Sequence, residues 1–405
     1  MLTKTHVRRL YVWHKWLGLL TGLVILYLTL TGTALVFKEE IDRALNADLL
    51  VSTPGPRSIS ADEALATVQA TYPDLLIDDL APPSGPTSVY VVQVAGHAAF
   101  DQVMVDPYTG QIRGTRPYDD SFAHIARQLH IKFYGLQWPG RVLVGLFGLA
   151  LLASTVLGLL IYGRFMRGLV WWKPRGGPRL QVQASDWHKL IGVLTLAFNL
   201  VIAVTGAVLG LEELGNVEPA IEQAVQPTPP PAILALAPPP GAPLLSLDDA
   251  VARVRTVMPD FVPTKMEPAA HTVRHHYLQG NLRGDIAMEG ASHAVVDAVT
   301  GQLLHVHNAR EAALVTRAYN WMDPLHFGTF GGIAMRIAYV LFGLMAAVLP
   351  ITGFALYIAK RYRRRPASPL SDRHLPPTGA ASQPRAPQPL VHHTVAHPQD
   401  QRDAT

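Results

Sequence analysis

The sequence predicts an α-helical membrane protein with four transmembrane helices arranged as a tandem parallel repeat, and two small α+β modules on one side of the bilayer. Three observations lead there. Of the 405 residues, 49% are hydrophobic and only 16% charged, the balance of a membrane chain rather than a soluble one. Four apolar runs reach the length of about 20 residues that a bilayer crossing needs: Leu17 to Phe37, Val142 to Tyr162, Leu190 to Leu211 and Ile333 to Ile358. The motifs of the first half also return in the second. Trp13-His14-Lys15 reappears as Trp187-His188-Lys189, and Gly18, Thr21 and Thr31-Gly32 reappear as Gly192, Thr195 and Thr205-Gly206.

Residues 1–42 are expected to hold the first transmembrane helix. It is too long for a signal core and runs into Phe37-Lys38-Glu39-Glu40 rather than a small-residue cleavage site, so it reads as an uncleaved anchor. Lys4, Arg8, Arg9 and Lys15 precede it. Arg164, Arg167, Lys173, Arg175, Arg179 and Lys189 lie between runs two and three, and Lys360, Arg361, Arg363, Arg364 and Arg365 follow run four. Basic residues stay on the cytoplasmic side, so all three clusters put both termini inside and the two long connections outside.

The first outer module is expected over residues 58–116. Its helix starts at Ser60, carries Ala64, Leu65 and Val68 on one face and ends at Pro73. Ser88 to Val94 and Gln102 to Asp106 read as strands, and Asp106-Pro107-Tyr108-Thr109-Gly110 turns into Gln111 to Arg113. Residues 121–168 carry Leu129-His130 and the second transmembrane helix, and residues 185–214 the third. Residues 226–243 form a Pro-rich spacer. The second module, 244–308, repeats the helix from Ser246 and the turn as Asp297, Thr300, Gly301 and Gln302. Residues 318–364 carry Leu325-His326 and the fourth transmembrane helix, and residues 365–405 read as a disordered cytoplasmic tail.

Composition excludes several classes. There is no cysteine, hence no disulfide, thiolate-bound iron–sulfur cluster or covalent haem attachment. The net charge of +4 sits largely in the cytoplasmic flanks and implies no nucleic acid partner. No Gly-X-Gly-X-X-Gly, phosphate loop, Gly-X-Ser-X-Gly or His-Glu-X-X-His is present, so any electrons must be loaded by an external electron donor.

The topology sorts four histidines by depth. His14 and His188 lie at the inner ends of runs one and three, His130 and His326 near the outer ends of runs two and four. Imidazoles arriving from both sides suit the two axial positions of a haem iron, which gives one haem near each membrane face. The bland alternative makes them interfacial anchors beside Trp13, Trp16, Trp138 and Trp187. Arg141 and Arg336 suit haem propionates or, equally, lipid phosphate. Glu39, Glu40, Asp42, Glu212 and Glu213 read as solvated span ends, with a proton or cation site as the sharper option. His124 is the disfavoured substitute for His130 as ligand, because the second half has Tyr319 or Asn320 near the matching place and no histidine. His97, His271, His275, His276, His293, His305 and His307 have no counterpart in the other half and read as surface residues; His392, His393 and His397 lie in the tail.

Trp13-His14-Lys15-X-X-Gly18, Thr31-Gly32 with Glu39 and Asp42 beyond it, Asp106 to Gln111, Leu129-His130, Asp186-X-His188-Lys189, and Leu325-His326 with Gly328, Gly331 and Gly332 together resemble the family of PepSY domains joined to PepSY-associated transmembrane helices. The family is described as iron-regulated or iron-uptake membrane proteins. The resemblance covers residues 5–364 and implies periplasmic PepSY modules on a bacterial inner-membrane protein. It includes reductases of ferric siderophores with two b-type haems, fed by a cytoplasmic reductase or a quinol. Two rivals stand beside this expectation: a non-enzymatic anchor whose modules bind or regulate an envelope protease or another protein, and a transporter. The second is disfavoured because no span but that with Pro350 looks broken.

Overall fold

The first apolar run lies inside a helix longer than its hydropathy requires: α1 spans Lys4–Leu35 and begins where the Thr3 side chain accepts a hydrogen bond from the His6 backbone N–H. This computed structural model describes residues 3–97, 99–165, 174–175, 179–212, 229–234, 237–270 and 272–362. The tail, and residues 166–173 and 176–178 between the second and third runs, lie outside the described residues. Of the Pro-rich spacer, one helical turn, Pro231–Leu234, is among them.

By length and composition, three described helices can cross a membrane: α1, α6 (Gln137–Phe165) and α12 (Gly332–Tyr362). The third run departs from expectation. It is not one straight span but two helices, α7 (Leu180–Leu194) and α8 (Leu196–Leu211), bent by 68° at Thr195. Counted as one broken span, the pair brings the number to four. The buried Thr195 hydroxyl donates to the Ile191 carbonyl at 2.8 Å, and Asn199 Nδ2 donates to that hydroxyl at 2.9 Å. Such back-bonding by a β-branched Thr bends helices. The one break foreseen, at Pro350, falls inside an uninterrupted α12.

In the bundle α1 packs against both α6 and α12, while α7 lies on α12 and α8 on α6. Without water to drive association, membrane helices gain from close backbone approach at small residues. A Cβ on Gly145 of α6 would stand 2.8 Å from the Gly210 carbonyl carbon of α8.

Beyond α1 the chain makes α2 (Lys38–Leu45), α3 (Ala47–Leu50) and α4 (Ala61–Thr71), the last held by the foreseen Ser60 cap and a reciprocal bond that the Ser60 backbone N–H donates to the Glu63 carboxylate. Strands β1 (Leu76–Ala81), β2 (Tyr90–Ala95), β3 (Gln102–Val105) and β4 (Ile112–Arg116) follow. A short helix, α5 (Phe122–Lys132), leads to α6. After α8 come α9 (Leu247–Val257), capped by Ser246, and strands β5 (Phe261–Glu267), β6 (His275–Leu282), β7 (Ser292–Asp297) and β8 (Leu303–His307). Two further helices, α10 (Leu314–Asn320) and α11 (Met322–Phe327), reach α12.

The two outer modules are not separate bodies. Their strands form one antiparallel sheet in the order β4-β3-β2-β1-β5-β6-β7-β8, joined where Leu80 pairs with Met266. Lys265 and Asp79 bridge the seam at 3.2 Å. Helices α4 and α9 share one apolar core over it, built from Val68, Val92, Val103, Val254, Leu278 and Val296 among others. Asp62 at the start of α4 accepts from the backbone N–H groups of Leu247 and Asp248, so one helix's carboxylate meets the positive end of the next. The seam strand β1 is hard to see in the sequence because Leu76-Ile77-Asp78-Asp79 does not alternate; its pairing with β2 shifts register between Ile77 and Asp79.

Candidate functional site

His14 sits on α1 and His188 on α7, helices from different halves of the chain, and their ring centres lie 6.1 Å apart with planes at 73°. His130 on α5 and His326 on α11 repeat this with ring centres 6.3 Å apart at 50°. The second pair lies toward the sheet: Gly32, which faces His130, stands near the end of α1, 18 residues beyond His14, a rise of roughly 27 Å along the helix.

Each ring is held through Nδ1 by its own half. His14 Nδ1 lies 2.9 Å from the Ser154 carbonyl on α6, and His188 Nδ1 lies 3.1 Å from the Leu349 carbonyl and 2.9 Å from the Thr352 hydroxyl on α12. A carbonyl only accepts, so Nδ1 carries the proton. In the other pair, His130 Nδ1 lies 3.0 Å from the Thr31 hydroxyl and His326 Nδ1 2.8 Å from the Thr205 hydroxyl. Both hydroxyls donate to helix carbonyls, of Tyr27 and Val201, and therefore accept from the imidazoles. All four rings are thus set in the tautomer that keeps Nε2 for a metal.

A glycine stands against every ring. An added Cβ would come within 2.9 Å of His130 Cε1 at Gly32, 3.2 Å of His326 Cε1 at Gly206, 3.4 Å of His14 Cε1 at Gly158 and 3.8 Å of His188 Cε1 at Gly353. Thr31-Gly32 and Thr205-Gly206 are visible in the sequence as repeated dipeptides, but their role shows only when α5 and α11 fold back onto α1 and α8. The carbonyls of Ser154 and Leu349 carry no signal at all, since any residue supplies one.

The two arginines have carboxylate partners within the protein: Arg141 donates to Glu212 at 2.8 Å and Arg336 donates to both oxygens of Glu40 at 2.6 Å. Both pairs join opposite halves, α6 to the end of α8 and α12 to α2. Glu212 is also no solvated span end: its side chain is 6% exposed, and Tyr319 donates to it at 3.0 Å. Asp42 is buried as well, paired with Arg116 of β4 at 2.9 Å, which ties the sheet to α2. Glu213 lies outside the described residues.

His124 does not substitute for His130; it pairs with Asp119 at 3.2 Å and Gln128 at 3.0 Å. His97 stacks on Phe100. The surface reading fails for His275, His276, His293 and His307, all buried in or beside the sheet. His276 is a satisfied core residue between the Ala269 N–H and the Leu245 carbonyl. Asp186, quoted above only as part of a motif, is fully buried and takes the Arg175 backbone N–H and guanidinium, each at 2.9 Å.

Apolar helices of spanning length, a sheet at one end and histidines paired at two levels define a helical membrane protein with two symmetric imidazole sites. The chain belongs to the PepSY-associated TM region family, whose pattern matches residues 11–360. It is similar to the uncharacterized protein PA4219 of Pseudomonas aeruginosa, with 29% identity over 265 residues, 60% of this chain and 64% of that protein. The match therefore spans less than two thirds of that relative.

Proposed function

We propose that this chain is a bacterial inner-membrane oxidoreductase of two parallel halves and four spans. It binds a b-type haem at each histidine pair and passes electrons across the membrane to a ferric siderophore or similar ferric chelate on the periplasmic side, where the sheet lies. One observation carries the reading, the spacing of the pairs. Two imidazole nitrogens that held one metal ion between them, each about 2 Å from it and each about 1 Å from its ring centre, would put the ring centres roughly 6 Å apart. The pairs stand at 6.1 and 6.3 Å.

When bound, haem supplies reversible one-electron chemistry. The chain's own residues ligate, orient and clear space for it. His14 with His188, and His130 with His326, present Nε2. The Nδ1 bonds hold ring orientation and raise ligand basicity, and the facing glycines leave room at the ring edges. Arg141–Glu212 and Arg336–Glu40 fasten the halves together and so preserve the spacing of each pair. The donor is external, a cytoplasmic reductase or a quinol, and enters at the pair remote from the sheet. The break at Thr195 does not favour a transporter, because the hydroxyl and amide at the bend are spent on each other and on Ile191.

The test is a pyridine haemochrome assay on the purified protein, followed by reoxidation of the dithionite-reduced form with ferric chelates. About two haems per chain, reoxidised by a chelate, support the reading. A colourless protein from haem-replete cells overturns it.

A further inference from the structure

The sheet holds a second set of histidines that the bundle site does not use. His305 and His307 stand two apart on β8 and so share a face; His293 on β7 is the direct cross-strand partner of His307. The His293 ring centre lies 5.0 Å from that of His307 and 5.4 Å from that of His305. His293 and His307 are 5% and 7% exposed, and Nε2 of His305 and of His307 is buried with no hydrogen-bond partner. Buried polar atoms almost always have partners, and an orphan calls for an explanation such as a missing ion.

The other half of the sheet shows what the place demands. Matching Asp297, Thr300 and Gln302 to Asp106, Thr109 and Gln111 sets His293 on Gln102, His305 on Gly114 and His307 on Arg116, and Gln102 pairs with Arg116 as His293 does with His307. There a cation fills the site: the Arg116 guanidinium donates to Gln102 Oε1 at 3.0 Å and to Asp42 at 2.9 Å. The second half has three imidazoles instead.

We infer that His293, His305 and His307 bind one divalent transition ion of the zinc class in the place that the Arg116 guanidinium fills in the other half of the sheet. Three imidazoles with room for a fourth ligand are a common zinc set, and imidazole also suits copper and nickel. Tetrahedral bonds of about 2 Å, with about 1 Å more to each ring centre, set neighbouring rings about 5 Å apart, the spacing found here and shorter than that of the bundle pairs. Among the described residues no three ligand side chains already converge on one point. Binding therefore requires the stacked rings to turn about their side-chain torsions.

The experiment uses the full chain with His392, His393 and His397 replaced by Ala to silence the tail. After chelator treatment it is titrated with Co(II) and Zn(II), and compared with the same chain also carrying His293→Ala, His305→Ala and His307→Ala. The expected result is one extra tightly held ion per chain, tetrahedral Co(II) absorption bands, a higher Tm with Zn(II), and affinity lower by at least about tenfold in His305→Asn. Because His305 is the least buried of the three, that variant keeps the test valid should the triple variant misfold. Equal ion content in the parent and in both variants, or Co(II) bound without tetrahedral bands, overturns the assignment.

Discussion

In the bundle the two halves of the chain bring the same residue types together at the histidine pairs, whereas in the sheet they share strand order and differ in side chains. His14 answers His188, His130 answers His326, Gly32 answers Gly206, and each half lends an arginine to the other's glutamate. In the sheet, Gln102, Gly114 and Arg116 occupy the positions that match His293, His305 and His307. The cause lies in where each site is closed. A bundle pair takes one imidazole from each half, so a change in one half alone destroys it. A sheet position is completed within its own half of the chain, so the halves are free to diverge there.

The largest effect follows from that shared closure. His188→Ala and His14→Ala should give the same phenotype, a fall from about two haems per chain to about one, and His130→Ala should match His326→Ala. Optical spectra and haemochrome assays check this. Partners that differ, one losing haem and the other not, would break the equivalence of the halves. In cells, His188→Ala should also abolish reduction of an external ferric chelate while the remaining haem still responds to dithionite.

The next effect grades the site by distance. Gly32→Ala and Gly206→Ala bring a methyl within 2.9 and 3.2 Å of the imidazoles and should displace the haem near the sheet; Gly353→Ala, at 3.8 Å, should be tolerated. Removing a ring's anchor is milder: Thr31→Val or Thr205→Val should weaken the same haem by about 10–100-fold, read by transfer to apomyoglobin.

A smaller effect sharpens the comparison at the arginines. Arg141→Gln leaves Glu212, 6% exposed, without its cation and should cost up to about 3 kcal/mol. Arg336→Gln leaves Glu40, 38% exposed, and should cost about 1 kcal/mol or less. Thermal melting in detergent ranks them, and the reverse order would assign the two pairs different roles.

Much of the bundle is legible in the sequence because spans announce themselves by length and apolarity, and the four histidines by their repetition. What stays hidden is what depends on contacts between distant segments. The bend at Thr195 lies in an unbroken apolar run. The fusion of the modules rests on β1 and β5, whose Asp79 and Lys265 look like solvent-facing charges until they meet across the seam. Repetition also misleads. Histidines without a counterpart look dispensable by that criterion, yet His293 and His307 are among the buried polar groups of the sheet.

The smallest effect concerns a feature that both sheet halves retain, the Asp that directly follows β3 and that ends β7. Burial pushes each carboxyl up, but its hydrogen bonds outweigh burial. Asp106 takes the N–H groups of Tyr108 and Thr109, the Ser52 hydroxyl and Arg113, and its pKa is lowered. Asp297 takes Arg274 at 2.7 Å and the N–H groups of Val299 and Thr300, and its pKa falls to about 2. A folded-state pKa below the unfolded value of about 3.9 gives stability that is present in full above the unfolded value and lost as pH falls through the folded one. The sheet should therefore hold at neutral pH and lose strand circular dichroism between about pH 4 and pH 2. Asp297→Asn should flatten that acid limb while lowering stability at neutral pH, and Asp106→Asn should do the same to a lesser degree. If both leave the limb unchanged, the turns are held by their backbone bonds, and the shared Asp is inherited geometry rather than a shared source of stability.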